Sequence, residues 1–233
     1  MTFPASSSFP SPFEAVILDH NGVTGVQPGI GQWEHLAALA DWPAARLSEF
    51  QKLFWSRREA YDAGAVSTFE FWTGMVRDAR PLNGTLVEEL SAMDVSMWIR
   101  TDPAVLDVLY ATRSAWNVPM VMLSNAPLCV ADALDRSPWR RDLMSEAVFS
   151  ARLGLNKPDH GAYEAALAAA GSPDPRRTLF VDDRRENCAA AAALGLATLH
   201  YQGDAADLAR RLSQGSSGPI AAPARLAAEA ALS

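Results

Sequence analysis

The stretch AVILDHNG, residues 15–22, joins a short apolar run to a polar turn that contains a glycine. An unbroken apolar run of this length, stopped by polar residues, is typical of a strand that is buried on both faces of a parallel sheet. The same pattern recurs in PMVMLSN (residues 119–125) and TLFVDD (residues 178–183). ATLHY (residues 197–201) and AVF (residues 147–149) predict two further strands.

Helical patterns separate these apolar runs. Asp102 and Pro103 open one helix, because Asp is a preferred N-cap residue and Pro suits the first helical position. Residues 162–170 and 187–194 predict two more helices, and each is followed by a glycine, the usual residue just past a helix end. Alternating strands and helices predict an α/β fold with a doubly wound parallel sheet, in which the polar strand ends share one crevice.

Residues 26–100 interrupt this alternation. The segment has helical periodicity and no convincing strand, and it carries five of the seven tryptophans. We interpret it as a small all-helical domain inserted after the first strand. The predicted organisation is a disordered N-terminus (1–13), an α/β core (14–25 and 101–212), the helical insertion (26–100), and a linker with a short Ala-rich tail (213–233).

Composition excludes several classes of function. The 233-residue chain has a net charge of −7, which disfavours nucleic-acid binding, because that needs a cationic surface. Its two cysteines are far apart and predict neither a disulfide framework nor a zinc site. We find no secretory signal and no apolar stretch near the roughly 20 residues that span a bilayer, so we expect a cytoplasmic protein with no membrane partner. The oligomeric state stays open.

Polar side chains follow the predicted strands in an order that suits phosphoryl transfer. This chemistry needs a carboxylate nucleophile, a divalent cation, and groups that bind the transferring oxygens. Magnesium prefers oxygen ligands, so three carboxylates predict a Mg²⁺ site, with a hydroxyl and an ammonium for the phosphoryl group. The candidate residues are Asp19, Ser124, Asn125, Lys157, Asp182 and Asp183.

Four segments together resemble the four motifs of the haloacid dehalogenase-like superfamily of hydrolases. They are VILDHNGV (16–23), VMLSNA (121–126), GLNKPD (154–159) and LFVDDRREN (179–187). The helical insertion, with AGAVS (63–67) and FEFW (69–72), is similar to the small cap found in sugar-phosphate phosphatases and in the N-terminal domains of epoxide hydrolases.

The resemblance implies a Mg²⁺-dependent phosphatase that hydrolyses a small phosphorylated metabolite through an aspartyl-phosphate. It implies that Asp19 is the nucleophile, and that Asp182, Asp183 and the backbone carbonyl of Asn21 join Asp19 as metal ligands. It also implies that Ser124, Asn125 and Lys157 bind the substrate.

One position departs from the family pattern. The family's phosphatases usually carry an acid/base Asp two residues after the nucleophile, where this chain has Asn21. An amide cannot exchange a proton near neutral pH, and such proton transfer typically contributes roughly 10²–10⁴-fold to the rate. His20 could supply the proton, but alternation along a strand should point it away from Asp19, so we predict a structural role.

Other functions remain open on the sequence alone. Dehalogenation at Asp19 needs no metal, phosphotransfer to an acceptor other than water would suit a slowly hydrolysed phosphoenzyme, and a non-catalytic binding role would follow if Asn21 abolishes turnover. Trp33, Trp55, Arg57, Arg58 and Tyr61 are candidates for the substrate pocket, although aromatic residues at helical spacing are more often core.

Overall fold

Five parallel strands form a single sheet in the computed structural model, which describes residues 11–77 and 82–214. The order across the sheet is β3-β2-β1-β4-β5. The strands are β1 (Ala15–Leu18), β2 (Met120–Ser124), β3 (Glu146–Phe149), β4 (Thr178–Asp182) and β5 (Ala197–His200). This confirms the predicted doubly wound α/β class, and every predicted strand is present to within one residue at each end.

Helices occupy most of the remaining described chain. They are α1 (Ile30–Leu39), α2 (Leu47–Asp62), α3 (Thr68–Thr73), α4 (Gly84–Trp98), α5 (Pro103–Trp116), α6 (Leu128–Arg136), α7 (Pro138–Leu143), α8 (Ser150–Leu153), α9 (His160–Ala169), α10 (Arg185–Ala193) and α11 (Ala205–Gln214). The Asp102 carboxylate caps α5 by accepting a hydrogen bond from Ala104 N at 2.9 Å, as the Asp-Pro pair predicted. Helices α9 and α10 begin two residues earlier than their apolar patterns indicated, because polar residues form their first turns.

Alternating side chains of the central strands pack on opposite faces of the sheet. Val16 and Leu18 of β1 belong to a cluster that includes apolar residues of α5 and α11. Ile17, between them, belongs to the other cluster, which includes Tyr163 of α9 and Ala191 of α10. Because β1 is covered on both faces, its apolar run needs no polar alternation.

The strand register fixes which polar residues meet at the carboxyl edge of the sheet. Leu18 lies opposite Val181 on the neighbouring strand β4. The next residue on each strand is an aspartate, so Asp19 and Asp182 become neighbours. The strand order reverses between β1 and β4, and ligands of doubly wound sheets bind in the crevice at such a switch point.

All the regular secondary structure of the inserted segment is helical in the described residues. Residues 26–77 and 82–100 contain α1–α4 and no strand. Its two connections to the core pair with each other, since Val26 N donates to Arg100 O at 3.1 Å and Asp102 N donates to Thr24 O at 2.9 Å. One hydrophobic cluster runs from the sheet into the insertion, so the division into a core and a cap remains a prediction.

The predicted terminal segments fall largely outside the described residues, which exclude residues 1–10, 78–81 and 215–233. Phe13, in the predicted lead-in, is buried and lies 5.2 Å below the guanidinium carbon of Arg211. Helix α11 extends to Gln214, two residues into the predicted linker. In the described part of the chain, no helix has the length and apolar character that crossing a membrane requires.

Candidate active site

Asp19 lies at the carboxyl end of β1, where its backbone N–H still belongs to the sheet. That N–H donates to Val181 O at 2.9 Å, and the Asp19 Oδ1 accepts a hydrogen bond from His20 N at 2.7 Å. The side chain is almost completely buried. The sheet therefore fixes the carboxylate in the crevice at the switch point.

Lys157 bridges the aspartates of the two central strands. Its Nζ lies 2.8 Å from Asp19 Oδ1 and 2.7 Å from Asp182 Oδ2, and its side chain is buried. Burial alone would lower the pKa of this ammonium, but Asp182 and Asp19 raise it above its ordinary value. Lys157 is therefore charged at neutral pH and is shared by both carboxylates.

Asp182 is fully buried and accepts hydrogen bonds from three residues. Besides Lys157, Arg184 N donates to its Oδ1 at 2.8 Å, and Asn187 Nδ2 lies 3.0 and 3.1 Å from its two oxygens. The backbone carbonyl of Asn187 in turn accepts a hydrogen bond from Tyr163 OH at 3.0 Å. Asp182 thus holds Lys157 and the loop after β4 in place, in addition to its predicted part in metal binding.

Three carboxylates converge in this crevice and could hold a metal ion. One oxygen from each of Asp19, Asp182 and Asp183 lies within 4.8 Å of the others. Lys157 supplies one positive charge against these three negative ones. Burial, only partly offset by Lys157 and reinforced by Asp182, raises the pKa of Asp19 to about 7. Burial and Asp182 also raise the pKa of Asp183.

These observations fit a divalent cation, because the excess negative charge disfavours the ionised carboxylates unless a cation joins them. The donors are all oxygens, which Mg²⁺ prefers. Beside them, Asn21 Oδ1 is buried and receives no hydrogen bond from residues 11–77 or 82–214. The three carboxylates of the predicted ligand set, Asp19, Asp182 and Asp183, are therefore gathered in one place, and Asn21 lines the same cleft as Asp19. That the backbone carbonyl of Asn21 is a fourth ligand stays a prediction.

Gly22 makes this convergence possible. Its φ is +80°, in the left-handed region, and a Cβ at this position would lie 2.2 Å from Asp183 Oδ2. The loop after β1 thus touches the carboxylate of the loop after β4, a contact that only glycine permits.

Gly22→Ala is expected to lower the affinity for Mg²⁺ by at least about tenfold, because the methyl group displaces the Asp183 carboxylate. Titration calorimetry measures this directly. Gly31→Ala is the matched control, since a Cβ there meets nothing within 4 Å. Equal Mg²⁺ affinity in wild type and Gly22→Ala would show that Asp183 is not a ligand.

Asn125 positions Lys157 through its side-chain amide. Its Nδ2 donates to Lys157 O at 2.9 Å, and its Oδ1 accepts from Lys157 N at 2.8 Å. Both polar atoms of the amide thus hold Lys157, and Asn125 also lines the cleft beside Asp19, so its part in substrate binding stays a prediction. Ser124, at the end of β2, is buried, and within the described residues its hydroxyl makes no hydrogen bond.

His20 has the structural role that strand alternation predicted. Its Nε2 lies 2.7 Å from Trp98 O, an atom that can only accept, so Nε2 carries the proton. Its Nδ1 lies 2.9 Å from Thr24 Oγ1. Burial lowers the pKa of His20 to about 4, so the ring is neutral at physiological pH. The single N–H of the neutral ring donates to the backbone carbonyl of Trp98, at the end of α4. His20 therefore does not replace the acid/base Asp for which this chain has Asn21.

A cleft of about 610 Å³ extends from Asp19 and Lys157 to helix α2. Trp55 and Arg58 line it, as predicted, together with Glu59 and Asp62, which the sequence analysis did not single out. The other candidates do not line this cleft. Trp33 and Tyr61 are buried, and Arg57 extends towards Gly74 at the end of α3.

The wall of the cleft contains a buried ion cluster. Arg58 NH1 donates to Asp94 Oδ1 and Oδ2 at 2.8 and 2.9 Å, and its Nε donates to Asp62 Oδ1 at 2.7 Å. Trp98 Nε1 also donates to Asp94, at 2.8 Å. Burial, partly offset by Arg58, raises the pKa of Asp62 to about 7. The i,i+4 spacing of Arg58 and Asp62 was visible in the sequence, whereas nothing there placed Asp94 beside them.

Residues 32–195 match the family model described as haloacid dehalogenase-like hydrolase. A sesquiterpene phosphatase of Aspergillus oryzae is 35% identical over 102 residues, which cover 44% of this chain and 51% of that protein. The chain thus matches about half the length of this curated relative.

Solved structures resemble the fold over most of this chain. A haloacid dehalogenase family enzyme of Bacteroides thetaiotaomicron, solved with magnesium and inorganic phosphate, aligns with a TM-score of 0.64 at 20% identity, covering 82% of this chain and 96% of that one. The L-2-haloacid dehalogenase of Xanthobacter autotrophicus aligns with a TM-score of 0.60 at 14% identity, covering 80% and 76%. At these identities the likeness concerns the fold alone.

Proposed function

The chain belongs to the haloacid dehalogenase-like hydrolase family, and we propose that it is a Mg²⁺-dependent phosphatase that hydrolyses a small phosphomonoester through an aspartyl-phosphate on Asp19. The observation that carries the proposal is the convergence of Asp19, Asp182 and Asp183 around a single ammonium. This excess of negative charge suits a site that takes a divalent cation and, with it, a phosphate.

Asp19 and Lys157 perform the first chemical step. An oxygen of the ionised Asp19 attacks the phosphorus atom, an aspartyl-phosphate bond forms, and the bond from phosphorus to the ester oxygen breaks. The ester oxygen leaves with the bonding electron pair and takes its proton from solvent. Lys157 and the Ser124 hydroxyl stabilise the charge on the transferring oxygens. The bound metal, held by the three carboxylates and Asn21, would neutralise phosphate charge and thereby lower the repulsion that Asp19 meets.

Water then attacks the phosphorus atom of the aspartyl-phosphate, releasing phosphate and regenerating Asp19. In the described chain, the neighbouring Asn21 cannot take the water's proton, and His20 is held by Trp98 and Thr24. The proton therefore goes to solvent or to phosphate itself, and we expect hydrolysis of the intermediate to be slow.

Dehalogenation is the principal alternative, since both activities use an aspartate nucleophile in this fold. Dehalogenation needs no metal. The cluster of Asp182 and Asp183 with Asp19, whose pKa is raised to about 7 by burial and by these neighbouring carboxylates, favours the metal-dependent reaction.

Release of phosphate from 4-nitrophenyl phosphate tests the proposal. We expect activity with Mg²⁺ and a loss of at least about tenfold in excess chelator, restored when Mg²⁺ is added back, because the metal supplies several kcal/mol of charge stabilisation. Halide release from 2-chloropropionate is measured in parallel. Halide release that persists in chelator, without phosphate release, would instead support a dehalogenase.

A further inference from the structure

Trp55 of α2 is half exposed, although its neighbour in sequence, Phe54, is fully buried. Its ring is held in place by three others, with centroid distances of 5.4 Å to Phe54, 5.9 Å to Trp33 and 5.7 Å to Trp98. An exposed indole fixed on three sides offers a rigid apolar surface at little cost in conformational entropy.

This surface lies along the path that leads out of the active site. Trp55 lines the cleft that contains Asp19 and Lys157, and it also lines an outer depression of about 640 Å³ with Trp33 and Lys52. Gln27 borders both spaces. Since small-molecule sites range from about 300 to 1,000 Å³, this space accommodates far more than a phosphate group.

The charges of the inner cleft disfavour a second anionic group on the substrate. Arg58, the cation that α2 presents there, is neutralised by Asp62 and Asp94. Arg184, which also lines the cleft, pairs with Glu186 at 2.5 Å. A carboxylate or second phosphate beyond the ester oxygen would therefore meet Glu59 and Asp62 without a free cation among the described lining residues.

We propose that the substrate is the phosphate ester of an uncharged, largely apolar alcohol whose carbon skeleton packs against Trp55. The proposal rests on the phosphatase function proposed above and names the substrate class of that site. Trp55 is then a specificity-determining residue: it contributes to binding of the leaving group and takes no part in the chemistry at phosphorus.

Three aryl phosphates with phenolic leaving groups of similar acidity test the proposal: phenyl, 2-naphthyl and 4-carboxyphenyl phosphate. We expect wild type to prefer the naphthyl ester and to disfavour the carboxyphenyl ester in kcat/KM. Trp55→Ala should raise KM for the naphthyl ester by about tenfold and raise KM for phenyl phosphate by much less, because the larger ring loses more apolar contact.

Phe69→Ala is the matched control, since Phe69 of α3 is equally exposed, at 52%, and lies outside the lining of the cleft. If Phe69→Ala raises KM for the naphthyl ester as much as Trp55→Ala does, the Trp55 assignment is wrong. A preference for the carboxyphenyl ester that disappears in Lys52→Ala would overturn the proposal in favour of an anionic leaving group. Either result leaves the phosphatase function intact, whereas no phosphate release from any of the three esters would overturn both.

Discussion

Asp19→Asn is expected to reduce phosphate release to below detection while the protein remains folded. The amide preserves the shape of the side chain and can still accept hydrogen bonds from Lys157 and His20 N through its oxygen. It cannot form the covalent aspartyl-phosphate on which the proposed reaction depends. Steady-state assays with 4-nitrophenyl phosphate at saturating Mg²⁺ measure the loss.

Asp107→Asn provides the control for Asp19→Asn, because it makes the same chemical change at an exposed position of α5. Asp107→Asn should leave the rate of phosphate release unaltered.

Mg²⁺ binding gives a second readout for Asp19→Asn. Since the pKa of Asp19 is raised to about 7, the Asp19 carboxyl must lose its proton when the ion binds below that pH. Wild-type affinity should fall as pH drops from 8 to 6, and Asp19→Asn should show less of this dependence. Residual turnover by Asp19→Asn at more than a few per cent of wild type would mean that water attacks phosphorus directly.

The sheet could be predicted from sequence because a strand that is buried on both faces has a continuous apolar sequence. β1, β2 and β4 are buried at every residue, and each contains an apolar run that is closed by a polar residue, Asp19 directly after β1 and Ser124 and Asp182 at the ends of β2 and β4. Parallel strands share a carboxyl edge, and the polar ends of β1 and β4 were therefore predicted to meet. Lys157 contacts Asp19 and Asp182 at that edge.

The insertion could be predicted as helical but not in its detailed contacts. Arg58 and Asp94 lie 36 residues apart, on α2 and α4, and helical periodicity does not specify which faces of two helices meet. For the same reason the sequence did not predict that Asn125 positions Lys157, because the backbone of Lys157 lies 32 residues further along the chain. Sequence patterns identified the reactive groups, and only the packing showed which groups hold them in place.

Asn21→Asp is expected to raise turnover, by up to roughly 10²-fold if proton transfer limits the rate. The Asn21 Oδ1 is buried without a hydrogen bond from the described residues. A carboxyl placed there would be partly desolvated, and desolvation raises a carboxyl pKa towards the neutral range where an acid/base group works best. The gain should be larger for an alkyl phosphate than for 4-nitrophenyl phosphate, because an alkoxide needs a proton to leave whereas nitrophenolate does not.

Asn21→Ala separates the two consequences of the Asp substitution, because it removes the amide without adding an acid. If the gain comes from proton transfer, Asn21→Asp should exceed wild type on the alkyl ester, whereas Asn21→Ala should not. A wild type that hydrolyses the alkyl ester as fast as Asn21→Asp would show that Asn21 is no handicap and that another group supplies the proton. If Asn21→Ala alone loses activity in proportion to weaker Mg²⁺ binding, the side-chain oxygen of Asn21 is itself a metal ligand, because the carboxylate of Asn21→Asp can still bind the ion. Turnover of the two esters by wild type, Asn21→Asp and Asn21→Ala thus shows whether the Asn21 side chain binds the metal or stands where an acid/base group would speed the reaction.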